Sequence, residues 1–103
     1  MELRVNRDLE ININILNEEL LWACRYEHLE VVKLLIDAGE DVSAGNNCAL
    51  MMASENGRLE VVKLLIENGA DVSVRNNYAL QWASIYGHLE VVKLLIENGA
   101  KSE

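Results

Sequence analysis

Hydrophobic and polar positions fall into a block that recurs. Leu-Glu-Val-Val-Lys-Leu-Leu-Ile occupies residues 29–36 and returns unchanged at 59–66 and 89–96, a spacing of 30 residues both times. A fixed period of that order marks a repeat array, in which each unit buries its apolar face only by stacking on its neighbours. Laid on a helix from Leu59, the polar residues Glu60, Lys63 and Glu67 sit at i, i+3 and i+7 and form one narrow stripe. Leu59, Val61, Val62, Leu64, Leu65 and Ile66 cover the rest of the cylinder. Such a helix needs a neighbour on each side and a partner in front, with the charged stripe as its solvated outer face. Lys63 is placed to meet both Glu60 and Glu67, each exposed pair contributing about 0.2–0.5 kcal/mol.

The rest of the chain follows that frame. In residues 1–16, Leu9, Ile11, Ile13 and Ile15 alternate with Glu10, Asn12 and Asn14, the period of a short strand or an extended cap over the first repeat. The first repeat, 17–46, opens with Asn17 as N-cap and acids in the first turn. A helix from Glu18 to about Arg25 is expected to turn Leu20, Trp22 and Ala23 inward. A turn at Tyr26-Glu27-His28 leads to a second helix from Leu29 to about Asp37, closed by Gly39 in a left-handed cap. Residues 40–46 read as an extended segment and turn. The second repeat, 47–76, starts with Asn47 as cap, a helix from Cys48 to about Glu55, a turn at Asn56-Gly57 and a helix from Leu59 to Glu67. The third, 77–103, repeats the grammar from Asn77, with helices Tyr78 to about Ile85 and Leu89 to Glu97. The fold class is all-α, a solenoid of three helix–turn–helix units.

Bulk properties narrow the function. The 103 residues are one domain's worth, and the formal charge of −8 argues against a nucleic-acid backbone or an anionic membrane as partner. No apolar run reaches the 18 or so residues of a bilayer span. The N-terminus lacks the basic-then-apolar pattern of a signal peptide. Cys24 and Cys48 fit a reducing compartment, so a soluble cytoplasmic protein is expected.

Gly-His-Leu-Glu-Val-Val-Lys-Leu-Leu-Ile-Glu-Asn-Gly-Ala, residues 87–100, resembles the second half of an ankyrin repeat, and Asn68 to Val72 resembles that family's link into its β-hairpin. Three in-register copies carry the resemblance over residues 17–103. Two features depart from the family pattern. Cys48-Ala49-Leu50-Met51 and Tyr78-Ala79-Leu80-Gln81 stand where Thr-Pro-Leu-His is common, and the unit has 30 residues rather than the usual 33. The shortfall implies short or reduced hairpin linkers. A 30-residue unit containing Tyr-Ala-Leu-x-Trp-Ala-Ser, as at Tyr78 to Ser84, resembles the ankyrin families of giant DNA viruses, which would place the chain in the host cytosol.

Chemistry is sparse. His28 and His88 share a repeat position with Arg58, which suits turn hydrogen bonding better than a metal site. Cys24 aligns with Ser54 and Ser84 and is expected buried and inert; Cys48 aligns with Tyr78 and is expected exposed, with no histidine placed to activate it. No phosphate loop or nucleophile motif occurs. No catalysis, cofactor or metal is expected. Trp22 and Trp82, at the position of Met52, are expected to fill the core.

The resemblance implies a protein partner on a concave face formed by the linkers and the solvent side of each first helix. The copies differ among themselves at Arg25 and Tyr26, Glu55 and Asn56, and Ile85 and Tyr86, and in the linkers at Gly45, Val74, Arg75 and Tyr78. Tyr, Arg and exposed apolar residues are the types enriched at interface anchors. These ten are the candidate partner-binding residues of a scaffold or adaptor module. A second reading comes from the third repeat, whose helix keeps interior-type Val91, Leu94 and Leu95 with only Lys101-Ser102-Glu103 beyond. An uncapped end favours end-to-end self-association or membership of a longer array. The near-identity of repeats 2 and 3 also fits an engineered consensus-type scaffold.

Overall fold

The computed structural model describes residues 19–100, without the side chains of 44–46 and 75–76; the expected strand or cap over 1–16 lies outside the described residues. Six helices follow one another: α1 (19–25 of it described), α2 (Leu29–Asp37), α3 (Ala44–Glu55), α4 (Leu59–Glu67), α5 (Val74–Ile85) and α6 (Leu89–Glu97). No strand occurs among the described residues. α3 packs on α5 in one layer, α4 lies between α2 and α6 in the other, and the α3–α4 and α5–α6 hairpins join the layers. The architecture is the all-α solenoid expected.

The ends of α2 to α6 are closed the same way, and α1 shares the longer-range of the two bonds, His28 N–H to the Ala23 carbonyl at 2.9 Å. At the end of α3, Arg58 N–H donates to the Ala53 carbonyl at 2.9 Å and Gly57 N–H to Ser54 at 3.2 Å. This is a Schellman closure, which requires a left-handed residue between the two donors. Gly57 supplies it with φ +71, and Gly87 does so in repeat 3 with φ +74. In repeat 1 the position is Glu27, which takes φ +61 despite its Cβ.

The helix starts differ from expectation. Asn47 and Asn77 are not caps of helices beginning at 48 and 78. The chain is already turning at 42–43 and 72–73, and α3 and α5 begin at Ala44 and Val74. The repeat boundaries expected at 46/47 and 76/77 therefore fall inside opening turns. Asp41 Oδ1 accepts the N–H and Oγ–H of Ser43 at 2.9 and 2.7 Å, and Asp71 does the same for Ser73 at 2.9 and 2.8 Å. These bonds hold both carboxyls below the usual aspartate range. Asn47 and Asn77 sit in these opening turns with φ +63 and +62. The buried Asn47 sends its Oδ1 out of its own repeat to accept Asp71 N–H at 2.8 Å, fastening the next linker instead of capping a helix.

The core consists of alanine and leucine on the first helices and branched residues on the second. Ala49, Leu50 and Ala53 are buried on α3, Ala79, Leu80 and Ala83 on α5, and Val61, Val62 and Leu65 on α4. A fully buried aliphatic side chain of this kind contributes about 1.5–3 kcal/mol. The charged stripe is solvated: Lys33–Glu30, Lys63–Glu60 and Lys93–Glu90 lie at 3.8, 3.6 and 3.9 Å. The second arm expected for Lys63, to Glu67, is not among the ion pairs of the described residues.

Candidate functional site

Alanine at positions 23, 53 and 83 and leucine at 20, 50 and 80 point inward, so the opposite side of α1, α3 and α5 faces solvent. Residues four apart on a helix share a face. On α5, Tyr78, Trp82 and Tyr86 therefore stand in line, with ring centroids 5.7 Å apart at both steps, and His88 continues the row at 6.4 Å from Tyr86. On α1, Trp22 and Tyr26 stand 5.1 Å apart and His28 lies 6.4 Å beyond Tyr26.

Trp22 corrects the sequence-based expectation. It is 61 % exposed, not core, and Trp82 is only half-buried. The inward face of the first helices is taken by leucine at 20, 50 and 80 and alanine at 23, 53 and 83, and the tryptophan position lies on the other side. The variation Trp22, Met52, Trp82 against invariant alanine next to it was the signal available in the chain. Trp22 instead lines a groove of about 270 Å³ with Leu21, Arg25 and Met52, where Arg25 Nε–H points at Met52 Sδ at 3.3 Å.

The ten candidate residues divide. Tyr26 and Tyr86 are exposed members of the aromatic rows, Ile85 is exposed beside Tyr86, and Arg25 edges the groove. Val74 and Tyr78 are half-buried on α5. Glu55 and Asn56 are also half-buried, and both are engaged in structure. Asn56 Nδ2–H donates to the Met52 carbonyl at 2.8 Å, and the Glu55 carbonyl lies 3.0 Å from His88 Nε2. Gly45 and Arg75 lie in opening turns and outside the described side chains. The structure thus gathers Arg25, Tyr26, Ile85 and Tyr86 onto one side of the first helices and adds Leu21, Trp22, Met52 and Trp82.

The turn-position residues bind between repeats. Arg58 Nε–H donates to the Arg25 carbonyl at 2.7 Å, and His88 meets the Glu55 carbonyl in the same relation one repeat later. Each satisfies a carbonyl at the end of the preceding first helix, where intrahelical donors run out. Arginine and histidine serve alike because both present a ring or guanidinium N–H.

Among the described residues no group of three or more His, Cys, Asp or Glu is placed to hold a metal ion. Cys24 is buried as expected, and desolvation pushes its thiol up to about 12, so it stays protonated and unreactive near neutrality. Cys48 is half-buried, less open than expected. Glu40 is held above the usual glutamate range by desolvation first and by Asp41 and Glu19 next.

With the geometry in place, comparison with known proteins identifies the repeat. The family model for ankyrin repeats in three copies matches residues 20–103. The chain is an ankyrin repeat protein. Ankyrin repeats generally mediate protein–protein binding. Over 45 residues the chain is 47 % identical to an ankyrin repeat protein of Acanthamoeba polyphaga mimivirus, covering 44 % of this chain and 20 % of that protein. A second mimivirus ankyrin repeat protein is 42 % identical over 46 residues, covering 45 % of this chain and 10 % of the relative. Both relatives come from a giant DNA virus, as the 30-residue unit suggested. The matched segment spans a fifth or less of the relatives' length. No helix among the described residues is long and apolar enough to cross a membrane.

Proposed function

We propose that this chain is a binding module that engages a protein partner in the cytosol through the solvent side of α1, α3 and α5, by rigid surface complementarity and without chemistry of its own. One observation carries the proposal: Trp22, Tyr26, Ile85 and Tyr86 are large apolar side chains left exposed on a face whose opposite side is packed with alanine and leucine. Exposed apolar clusters of this kind mark interaction sites, and Trp, Tyr and Arg dominate interface energetics. The groove between Trp22, Arg25 and Met52 offers a seat for one apolar side chain of the partner, with the guanidinium at its rim. The aromatic row on α5 offers a second, flatter platform.

The test is affinity capture from cytosolic extract with the native chain and with a Tyr26→Ala, Ile85→Ala, Tyr86→Ala variant. A partner retained by the native chain and lost by the variant supports this face. Adding Trp22→Ala separately asks whether the groove contributes. Identical capture by all forms, with unchanged circular dichroism, places binding elsewhere and overturns the proposal.

A further inference from the structure

The three second helices share the sequence Leu-Glu-Val-Val-Lys-Leu-Leu-Ile, so differences in their burial report only their neighbours. Val61 and Val91 are 0 % and 1 % exposed, but Val31 is 44 % exposed. Leu64 and Leu94 are half-buried, whereas Leu34 is 67 % exposed. These positions therefore face the preceding repeat. The opposite trend marks the other side. Leu29 and Leu59 are half-buried and Leu89 is 68 % exposed; Ile36 and Ile66 are half-buried and Ile96 is 47 % exposed. Those positions face the following repeat.

In the second-helix layer, the two open faces are copies of the two halves of a contact the molecule already contains, the one between α4 and α6. Where α6 meets α4, repeat 3 contributes the stretch 88–96, and residues 28–36 are identical to it, His28 included. Repeat 2 contributes Leu59, Val62 and Ile66, and repeat 3 presents the same types as Leu89, Val92 and Ile96. The polar clasp has its counterparts as well. His88 reaches the Glu55 carbonyl; His28 is exposed at the equivalent place, and Ile85 is the residue equivalent to Glu55.

We propose that a second copy of this chain docks head to tail, its repeat 1 stacking on repeat 3 as repeat 3 stacks on repeat 2. Val31 and Leu34 of one copy pack on Leu89 and Ile96 of the other, and His28 turns to the Ile85 carbonyl. A second copy is the occupant because each open face matches, residue for residue, one half of the α4–α6 contact. The contact is heterologous, so it leaves a free face at each end and can add further copies. Each copy carries a formal charge of −8, so the copies repel at long range and association tightens as salt rises.

Sedimentation of the 103-residue chain from about 10 μM to about 1 mM, the weak-to-moderate affinity range, reads the proposal directly. The native mass is expected to climb from 11.6 kDa with concentration, more steeply in salt. Leu34→Glu and Leu89→Glu each place a charge in the contact and are expected to weaken association about a hundredfold or more, leaving monomers. Mixed one to one, each variant supplies the face the other lacks, so the mixture is expected to reach twice 11.6 kDa and stop. Both leucines are exposed, so the substitutions leave the monomer's helicity unchanged; Leu34→Gln and Leu89→Gln serve as uncharged checks. A native chain that stays monomeric at the highest concentration overturns the proposal. So does unaltered assembly of the variants.

Discussion

Replacing Asn47 separates two contributions that the structure combines in one side chain. Asn47 is buried with φ +63, and its Oδ1 accepts Asp71 N–H at 2.8 Å across 24 residues of sequence. Glycine keeps the left-handed backbone and deletes the acceptor, stranding a part-buried N–H. That loss is worth about 1–3 kcal/mol. Alanine deletes the acceptor and also forces a Cβ into the left-handed basin, which adds about 1–2 kcal/mol. The expected order of stability is native, then Asn47→Gly, then Asn47→Ala, the last about 2–5 kcal/mol below native. In a domain this small each kcal/mol lowers the melting temperature by about 4–8 °C. Thermal and urea melts followed by helical circular dichroism resolve such steps. A glycine variant that melts with the native chain would show that the Asp71 bond contributes nothing. Alanine and glycine variants that coincide would refute the backbone argument instead.

The other expectations are smaller. Gly57 and Gly87 share the left-handed turn, but a Cβ on Gly57 would come within 2.5 Å of His88 Nδ1 while one on Gly87 meets nothing within 4 Å. Gly57→Ala is therefore expected to melt below Gly87→Ala, which carries only the backbone penalty of about 1–2 kcal/mol; equal melting would show that His88 moves aside freely. Glu27 holds the same turn with φ +61, so Glu27→Gly is expected to raise stability by roughly 1 kcal/mol in the same melts. For Cys24, burial raises the folded thiol from 9.0 to about 12, so the unfolded chain ionises first. The contribution is fully present below pH 9 and is lost between 9 and 12, at about 1.4 kcal/mol per pH unit. Urea midpoints of the native chain are expected to fall with pH in that window more steeply than those of Cys24→Ala.

What the chain determined alone was whatever depends on bonds within a few residues. The 30-residue period, the second helices with their exposed Glu–Lys stripe, and the glycine closures at 39, 57, 69, 87 and 99 all follow from local spacing and from the left-handed backbone that Gly39 and its counterparts adopt. Of the candidate site, the exposed residues before the turns, Arg25, Tyr26, Ile85 and Tyr86, were legible because the copies differ there while their framework repeats. The first helices resisted the same treatment. They carry apolar residues on more than one side, so spacing cannot separate the alanine face from the tryptophan face. Only tertiary packing, as where α3 meets α5, decides that alanines 53 and 83 go inside and the tryptophan position faces out. Asn47 was equally ambiguous, since only the folded chain starts α3 three residues earlier, at Ala44, and brings the distant Asp71 N–H to its oxygen. Identical octapeptides end with Val61 sealed and Val31 open because burial belongs to the neighbour, and neighbours are set by stacking, beyond the reach of local sequence.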